Sequence, residues 1–144
     1  MAFPKDAVAK VMTSFHRAMF DLSHGKLAGS LAGMPVVKLT TVGRKSGQRR
    51  TTMLTSPLVD GETLVLVASF GGDDRDPTWF GNLVANPDVE IVTGGSTRLM
   101  HARVAEGDER TELWEALTAK HANYAGYQRK TSRQIPVVVL EPRP

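Results

Sequence analysis

The stretch RRTTMLTSPLVDGETLVLVASF, residues 49 to 70, decides the fold. Its two halves, 49 to 59 and 63 to 69, are rich in Val, Leu and Thr, the residue types that fit a pleated, half-buried surface. Between them stands Asp60-Gly61, a dipeptide that readily supplies the positive φ angles of a tight hairpin, so the halves are expected to pair antiparallel. Working outward, MPVVKLTTV at residues 34 to 42 has the same strand character. Val89 to Thr93 and Arg98 to Ala105 form a second candidate hairpin through Gly94-Gly95, and Ile135 to Leu140 reads as a buried closing strand. A parallel sheet needs crossover helices between its strands, and the hairpin signals argue against them. The expected class is α+β, mainly antiparallel β: a small barrel of about six strands decorated by helices.

Three helical signals surround those strands. Val8, Val11, Met12, Phe15, Met19 and Leu22 recur at three- and four-residue spacing, which predicts an amphipathic helix within residues 1 to 24. Such a helix suits packing on the core, or a peripheral membrane contact through its basic face at the inner surface. In DPTWFGNLVANP, Asp76 is expected to cap a short helix with Pro77 at its first position and Asn86-Pro87 at its end. From Asp108, DERTELWEALTAKHA brings Leu113, Trp114, Leu117 and His121 to one side of a helix whose acidic start complements the dipole.

A chain of 144 residues, 41% apolar and 23% charged, is the size and balance of one globular domain spanning 1 to 144. The net charge of +3 does not by itself imply nucleic-acid binding. Cysteine is absent, which removes disulfide scaffolds, thiol nucleophiles, iron–sulfur clusters and Cys-based zinc sites, and fits a cytoplasmic location. The N-terminal segment, interrupted by Lys5, Asp6, Lys10, His16 and Arg17, lacks the apolar run of a signal peptide.

Three clusters carry chemical potential. GRKSGQRR, residues 43 to 50, concentrates Arg44, Lys45, Arg49 and Arg50 beside Ser46 and two glycines. Guanidinium forks, a hydroxyl donor and approachable backbone amides suit a phosphate or carboxylate, although a solvated basic turn has the same composition. The spacing matches neither a P-loop nor a dinucleotide fingerprint. ASFGGDDRDPTWFGNL, residues 68 to 83, runs from Ser69 into Gly71-Gly72 and offers Trp79, Phe80 and Asn82, the mixture of a ligand pocket or of ordinary core packing. In HANYAGYQ, His121, Tyr124 and Tyr127 stand three residues apart and share a face if the segment is helical. Their hydroxyls and imidazole suit substrate positioning and proton transfer, and equally an aromatic stripe on the core. No histidine pair has metal-ligand spacing, so no metal is expected, and no serine carries a nucleophile motif. Hard chemistry would have to come from a cofactor.

Taken in order, KLTTVGRKSGQRRTTML, LVASFGGDDRDPTWFGNLVANPDVEI and YAGYQRKTSRQIPVVVLEP resemble the deazaflavin-dependent nitroreductase family over about residues 35 to 142. The resemblance implies a split β-barrel that binds coenzyme F420, whose ribityl phosphate bears a lactyl oligoglutamate tail. It implies that Arg44, Lys45, Ser46 and Arg50 hold the phosphate and acidic tail, and that Thr52, Met53 and Thr55 line the coenzyme's edge. Val67, Ala68, Ser69 and Phe70, with Thr78, Trp79, Phe80 and Asn82, match the wall around the deazaflavin ring. Tyr124 matches the principal active-site tyrosine, and Tyr127 is matched as well. Thr55 stands where the nitroimidazole-activating member has tyrosine, His121 replaces the first tyrosine of the helical trio, and Phe70 replaces a lysine. The implied reaction is hydride transfer from C5 of the reduced deazaflavin to an electron-poor acceptor, a quinone or nitro compound, with Tyr124 positioning it and His121 as proton donor. Two other readings of the basic loop stand beside this one. One is an FMN-binding split-barrel reductase, and the other is a non-enzymatic anion-binding module. No nucleic-acid partner is expected, because aromatic residues are not interleaved with the basic run. Family analogy also implies a homodimer.

Overall fold

The computed structural model describes residues 30–31 and 33–144, so the helix expected within residues 1 to 24 and its membrane contact lie outside the described residues. Eight strands are present among them: β1 (Ser30–Leu31), β2 (Met34–Val42), β3 (Arg49–Thr55), β4 (Leu58–Asp60), β5 (Thr63–Val67), β6 (Asp88–Thr93), β7 (Ser96–Val104) and β8 (Val137–Pro142). Three helices accompany them: α1 (Thr78–Ala85), α2 (Gly107–Lys120) and α3 (Asn123–Gln128). All strand pairs are antiparallel, in the order β1-β2-β6-β7-β8-β5-β4, with β3 on the other edge of β2.

The decisive stretch folds differently from its simplest reading. Only β4 pairs with β5, from Leu58↔Val65 to Asp60↔Thr63, whereas β3 pairs with β2 from Val36↔Thr55 to Val42↔Arg49. The break falls at Ser56-Pro57, because proline has no N–H to continue a ladder. Ser56 holds the bend: its N–H donates to the Pro35 carbonyl, and its Oγ donates to the Val65 carbonyl at 2.7 Å. One bent strand thus joins the two ends of the sheet, and its division into β3 and β4, together with the short β1, turns the expected count of about six strands into eight segments. The two-residue hairpin turn is Gly61-Glu62 rather than Asp60-Gly61. Gly94 and Gly95, at φ +57° and +80°, make the second hairpin turn as expected, since both positions need a left-handed backbone.

The alternation of β5 and β8 builds two apolar layers from one sheet. Leu64, Leu66, Val138 and Leu140 face the barrel interior, where Trp79 and Leu83 of α1 close it. Val65, Val67, Val137 and Val139 face outward beneath Leu117 and Tyr124 of α2 and α3. Both faces are covered, which explains the unbroken apolar runs TLVLV and VVVL.

The helices also depart from expectation in detail. Pro77 precedes α1 rather than opening it, and Asp76 does not cap it, its carboxylate instead accepting from Arg133. The C-terminal helical segment is two helices, broken at His121 and Ala122, so His121 ends α2 rather than sharing its face. No helix among the described residues is long and apolar enough to cross a membrane.

Candidate functional site

The basic loop is a tight, preformed turn. The Gly43 amide donates to the Gln48 carbonyl at 2.7 Å, the Gly47 amide donates to the Gly43 carbonyl, and Gly47 adopts φ +70°. A Cβ on Gly43 would meet Ser46 Oγ at 2.6 Å and the Gln48 carbonyl oxygen at 3.3 Å, so a larger residue here would displace the Ser46 hydroxyl. The loop is fastened to α1: the Arg44 amide donates to Asn82 Oδ1 at 3.1 Å, and Asn82 Nδ2 donates to Thr41 Oγ1. Asn82 is buried, and its amide is spent on these internal bonds; it anchors the loop rather than facing solvent. The Arg44 side chain lies along the open flank of Gly81, where a Cβ would come within 3.3 Å of Nε. Arg44, Lys45 and Arg50 are exposed and carry no ion pair among the described residues, while Arg49 is taken by Glu90 at 2.6 Å. Ser46 Oγ accepts from the Gln48 amide and keeps its own proton to donate. Three unpaired cations and a free hydroxyl on a rigid turn are the donor set for phosphate and carboxylate groups.

Strand β3 connects this loop to the rest of the site. The pleat sends Arg50, Thr52 and Leu54 to one side and Thr51, Met53 and Thr55 to the other. Leu54 packs on the interior core beneath α1, whereas Met53 packs outside with Val36 and Val92. Thr52 therefore shares a side with α1, and Met53 and Thr55 do not. Among the described residues β3 pairs as a strand with β2 alone, and no described strand lies on its second edge. That edge runs roughly 20 Å at the usual rise per residue.

Beyond β5 the chain makes a strained turn. Ser69 leads into a 3₁₀ turn at Phe70–Gly72, and Phe70, at φ +45°, is the one non-glycine residue with positive φ among those described. A left-handed bulky residue costs on the order of 1–2 kcal/mol. Its surroundings hold it: the Gly72 amide donates to the Ser69 carbonyl, the Asp73 amide to the Phe70 carbonyl, and the Arg75 guanidinium lies 5.3 Å from the Phe70 ring centre. Gly72, at φ +85°, touches α3 so closely that a Cβ would meet the Tyr127 carbonyl oxygen at 2.8 Å. Val67 and Ala68 are buried core positions, and Trp79 is buried against Leu83, so core packing accounts for all three side chains. Phe80 is half-buried and Thr78 exposed.

The aromatic trio assembles although no single helix carries it. Tyr124 and Tyr127 of α3 meet edge to face at 6.0 Å, and His121, just before that helix, meets Tyr124 the same way at 6.4 Å. Tyr124 is buried, and its hydroxyl lies 3.6 Å from Met34 Sδ. Burial pushes its phenol above the ordinary tyrosine value; a hydrogen bond with Thr55 opposes this, and Tyr127 adds to it. Thr55 and Tyr124, remote in sequence, are thus in contact. An open cleft of about 430 Å³ borders His121 and is lined by Gly33, Pro35, Ser56, Pro57, Val59 and Lys120. This cleft lies beside His121, whereas the basic loop is an exposed turn.

Two residues of this region carry no signal that sequence reading could use. Arg133 lies within KTSR, which reads as one more solvated run, yet its guanidinium is largely buried and donates to four acceptors of the Ser69 turn. Gln128, the last residue of α3, holds Arg133 in turn by donating to its carbonyl and accepting from the Ile135 amide. No group of acidic or histidine residues among those described is placed to hold a metal ion.

Comparison with known proteins places this arrangement. The F420H(2)-dependent quinone reductase family matches residues 12–142. An F420H(2)-dependent quinone reductase of Mycobacterium tuberculosis (strain H37Rv) is 41% identical over 132 residues, covering 89% of this chain and 88% of the relative. A solved F420-H2 dependent reductase shares 39% identity and a TM-score of 0.67 over 74% of this chain and 94% of its own. A second solved relative, described as a domain-swapped dimer, shares 34% identity and a TM-score of 0.68 over 89% of this chain and 98% of its own. With a match across nearly its whole length and a split barrel whose donor turn and buried tyrosine flank one strand, the chain belongs to the F420H(2)-dependent quinone reductase family.

Proposed function

We propose that the protein binds coenzyme F420 along the second edge of β3 and transfers hydride from its reduced form to a quinone-type acceptor. The coenzyme's anionic tail lies on Arg44, Lys45, Ser46 and Arg50, and its ring lies toward Ser69, Phe70 and Thr55, next to Tyr124. The single observation that carries this reading is the placement of three unpaired cations at one end of β3 and a buried phenol at the other. An elongated ligand with a charged tail and a flat head fits that polarity, and Thr52, Met53 and Thr55 border its path from alternate sides.

When bound, the reduced deazaflavin supplies the hydride. The chain's part is binding, orientation and the proton. Tyr124, a phenol protonated at neutral pH and held further from ionisation by burial, can donate a hydrogen bond to the acceptor oxygen as negative charge develops there. His121, at the cleft mouth, is placed to return that proton from solvent. One hydride and one proton convert a quinone to its hydroquinone. His121, which lines the cleft, is smaller than the tyrosine it replaces in the family pattern, which favours a bulky planar acceptor.

Titration of the purified protein with F420 and with FMN, followed by coenzyme fluorescence, tests the binding; mixing the reduced deazaflavin with a quinone tests the reaction. We expect saturable binding of F420 in preference to FMN and quinone-dependent reoxidation. Preference for FMN, or binding without turnover across a broad panel of quinones and nitro compounds, overturns the assignment. We further infer a homodimer, supported by the relative solved as a domain-swapped dimer. A monomeric mass by light scattering at micromolar concentration would exclude it.

A further inference from the structure

The trait that neither the motifs nor the family match explains is the largely buried Arg133. Its Nη2 donates to the Ala68 and Ser69 carbonyls at 3.2 and 3.0 Å, its Nε to the Asp73 carbonyl at 2.8 Å, and its Nη1 to Asp76 Oδ1 at 2.9 Å. These acceptors bracket the strained segment on both sides, with Phe70, Gly71 and Gly72 enclosed between them. One planar fork satisfies carbonyls that point inward from a non-repetitive turn, where each unpaired carbonyl would be costly. A lysine ammonium, a compact charge with three donors, cannot span the same four acceptors.

Arg133 is itself held from the tyrosine side. Gln128 donates to its carbonyl at 2.7 Å and accepts from the Ile135 amide at 3.0 Å, and Gln128 ends the helix that carries Tyr124 and Tyr127. The Gly72 backbone, pressed on the Tyr127 carbonyl, makes a second contact between the same two pieces. A continuous chain of bonds therefore runs from α3 through Gln128 and Arg133 to the backbone of Ser69, about sixty positions away in sequence.

We propose that Arg133 is a positioning residue: it sets the Ser69–Gly72 turn in register with the Tyr124 helix, so that the coenzyme-facing wall and the proton-donating side are one rigid unit before any ligand binds. The proposal rests on the coenzyme reading given above. Arg133 does not touch the coenzyme in this account; it acts through the turn. Removing the fork frees Phe70 to relax from its left-handed backbone, and the wall and the tyrosine then lose their mutual alignment.

The test compares wild type with Arg133→Lys, and with Arg133→Met in case the lysine variant does not fold, using two readouts. The first needs no coenzyme: amide hydrogen exchange at Gly72 and Asp73, whose bonds to Ser69 and Phe70 close the turn. It should accelerate tenfold or more in the variants while exchange in β5 and β8 stays within twofold. The second is the separation of binding from turnover. The dissociation constant for F420 should rise about threefold, but kcat with a soluble quinone should fall thirtyfold or more; in a third variant, Arg133→Ala, added ethylguanidinium should restore part of that loss. Unchanged exchange at Gly72 and Asp73 overturns the proposal. So does accelerated exchange with kcat within twofold of wild type, since the turn would then be ordered without consequence. If wild type fails to bind F420, the functional reading falls and this one with it, whereas binding by wild type with no effect of the substitutions sinks the positioning role alone.

Discussion

The two ends of the β3 edge are built on opposite principles. At one end the basic turn is local: eight consecutive residues supply the glycines, the hydroxyl and the cations, and a few polar contacts, chiefly Arg44 to Asn82 and Arg49 to Glu90, tie it to distant chain. At the other end, Ser69–Gly72, Thr55, Tyr124 and Arg133 come from four separate segments and are half-buried or buried. Exposed charge acts through a screened field and adds little to the fold, so the first end can be altered with the barrel intact. The second end is part of an apolar layer, and there function and stability change together.

Gly72→Ala should break the second end most severely. A Cβ there needs a left-handed backbone and meets the Tyr127 carbonyl at 2.8 Å, so we expect a loss of about 3 kcal/mol, read as a shift in urea midpoint. A loss below about 1 kcal/mol would show that the turn and α3 are less tightly joined than described.

Tyr124→Phe comes next. Turnover should fall roughly 10- to 100-fold, or about 1.4–2.8 kcal/mol in barrier, with coenzyme affinity within threefold of wild type. Equal losses in both would assign the hydroxyl to binding instead. The same residue carries a pH signature. Its folded pKa lies above the unfolded value near 10, so the native state holds a proton that the unfolded state has lost as pH rises past that value. Stability present below pH 10 should therefore decline through the alkaline range, with a shallower decline in Tyr124→Phe; identical alkaline profiles would contradict the burial.

At the first end, Arg44→Ala combined with Lys45→Ala should weaken F420 binding about tenfold and leave Tm within about 2 °C. Raising the salt concentration should weaken wild-type binding and narrow the gap between the two proteins. Unchanged affinity would mean that the tail docks elsewhere.

The smallest effect is expected far from both ends. Arg103 binds Glu109 and Glu141 at 2.6 and 2.7 Å on the surface of β7, and the hydrogen bond from Arg103 holds the Glu109 carboxyl below its ordinary value. Its pair is half-exposed, so Glu109→Gln should cost under about 0.5 kcal/mol and leave turnover unchanged. A larger loss would show that this pair anchors the start of α2, the end opposite His121.

Legibility follows the same division. The Gly94-Gly95 turn, the helix over 107–120 and the basic loop could be read because each depends on neighbouring residues: positive φ at paired glycines, a periodic apolar stripe, a run of charge. The partner of β3 could not, since RRTTMLT pairs as well with one Val-rich strand as another, and only closing the sheet at Ser56 selects β2. The alternation that separates Thr52 from Met53 and Thr55 follows from that pairing, so the resemblance alone placed the three together. Arg133 was hidden for a different reason: the carbonyls that it satisfies belong to residues 68, 69 and 73, and backbone acceptors leave no trace in composition.

Residue order alone thus settled the kinds of pieces present, the charge and conformational freedom of the basic turn, and the aromatic character of the late helix, because these are properties of short windows. The three-dimensional chain decided which strand β3 pairs with, which side of β3 each threonine takes, and that one arginine joins the Ser69 turn to the tyrosines. Those outcomes depend on closure, burial and hydrogen bonds between segments tens of residues apart, and the free energy of such contacts exists only after the barrel has formed.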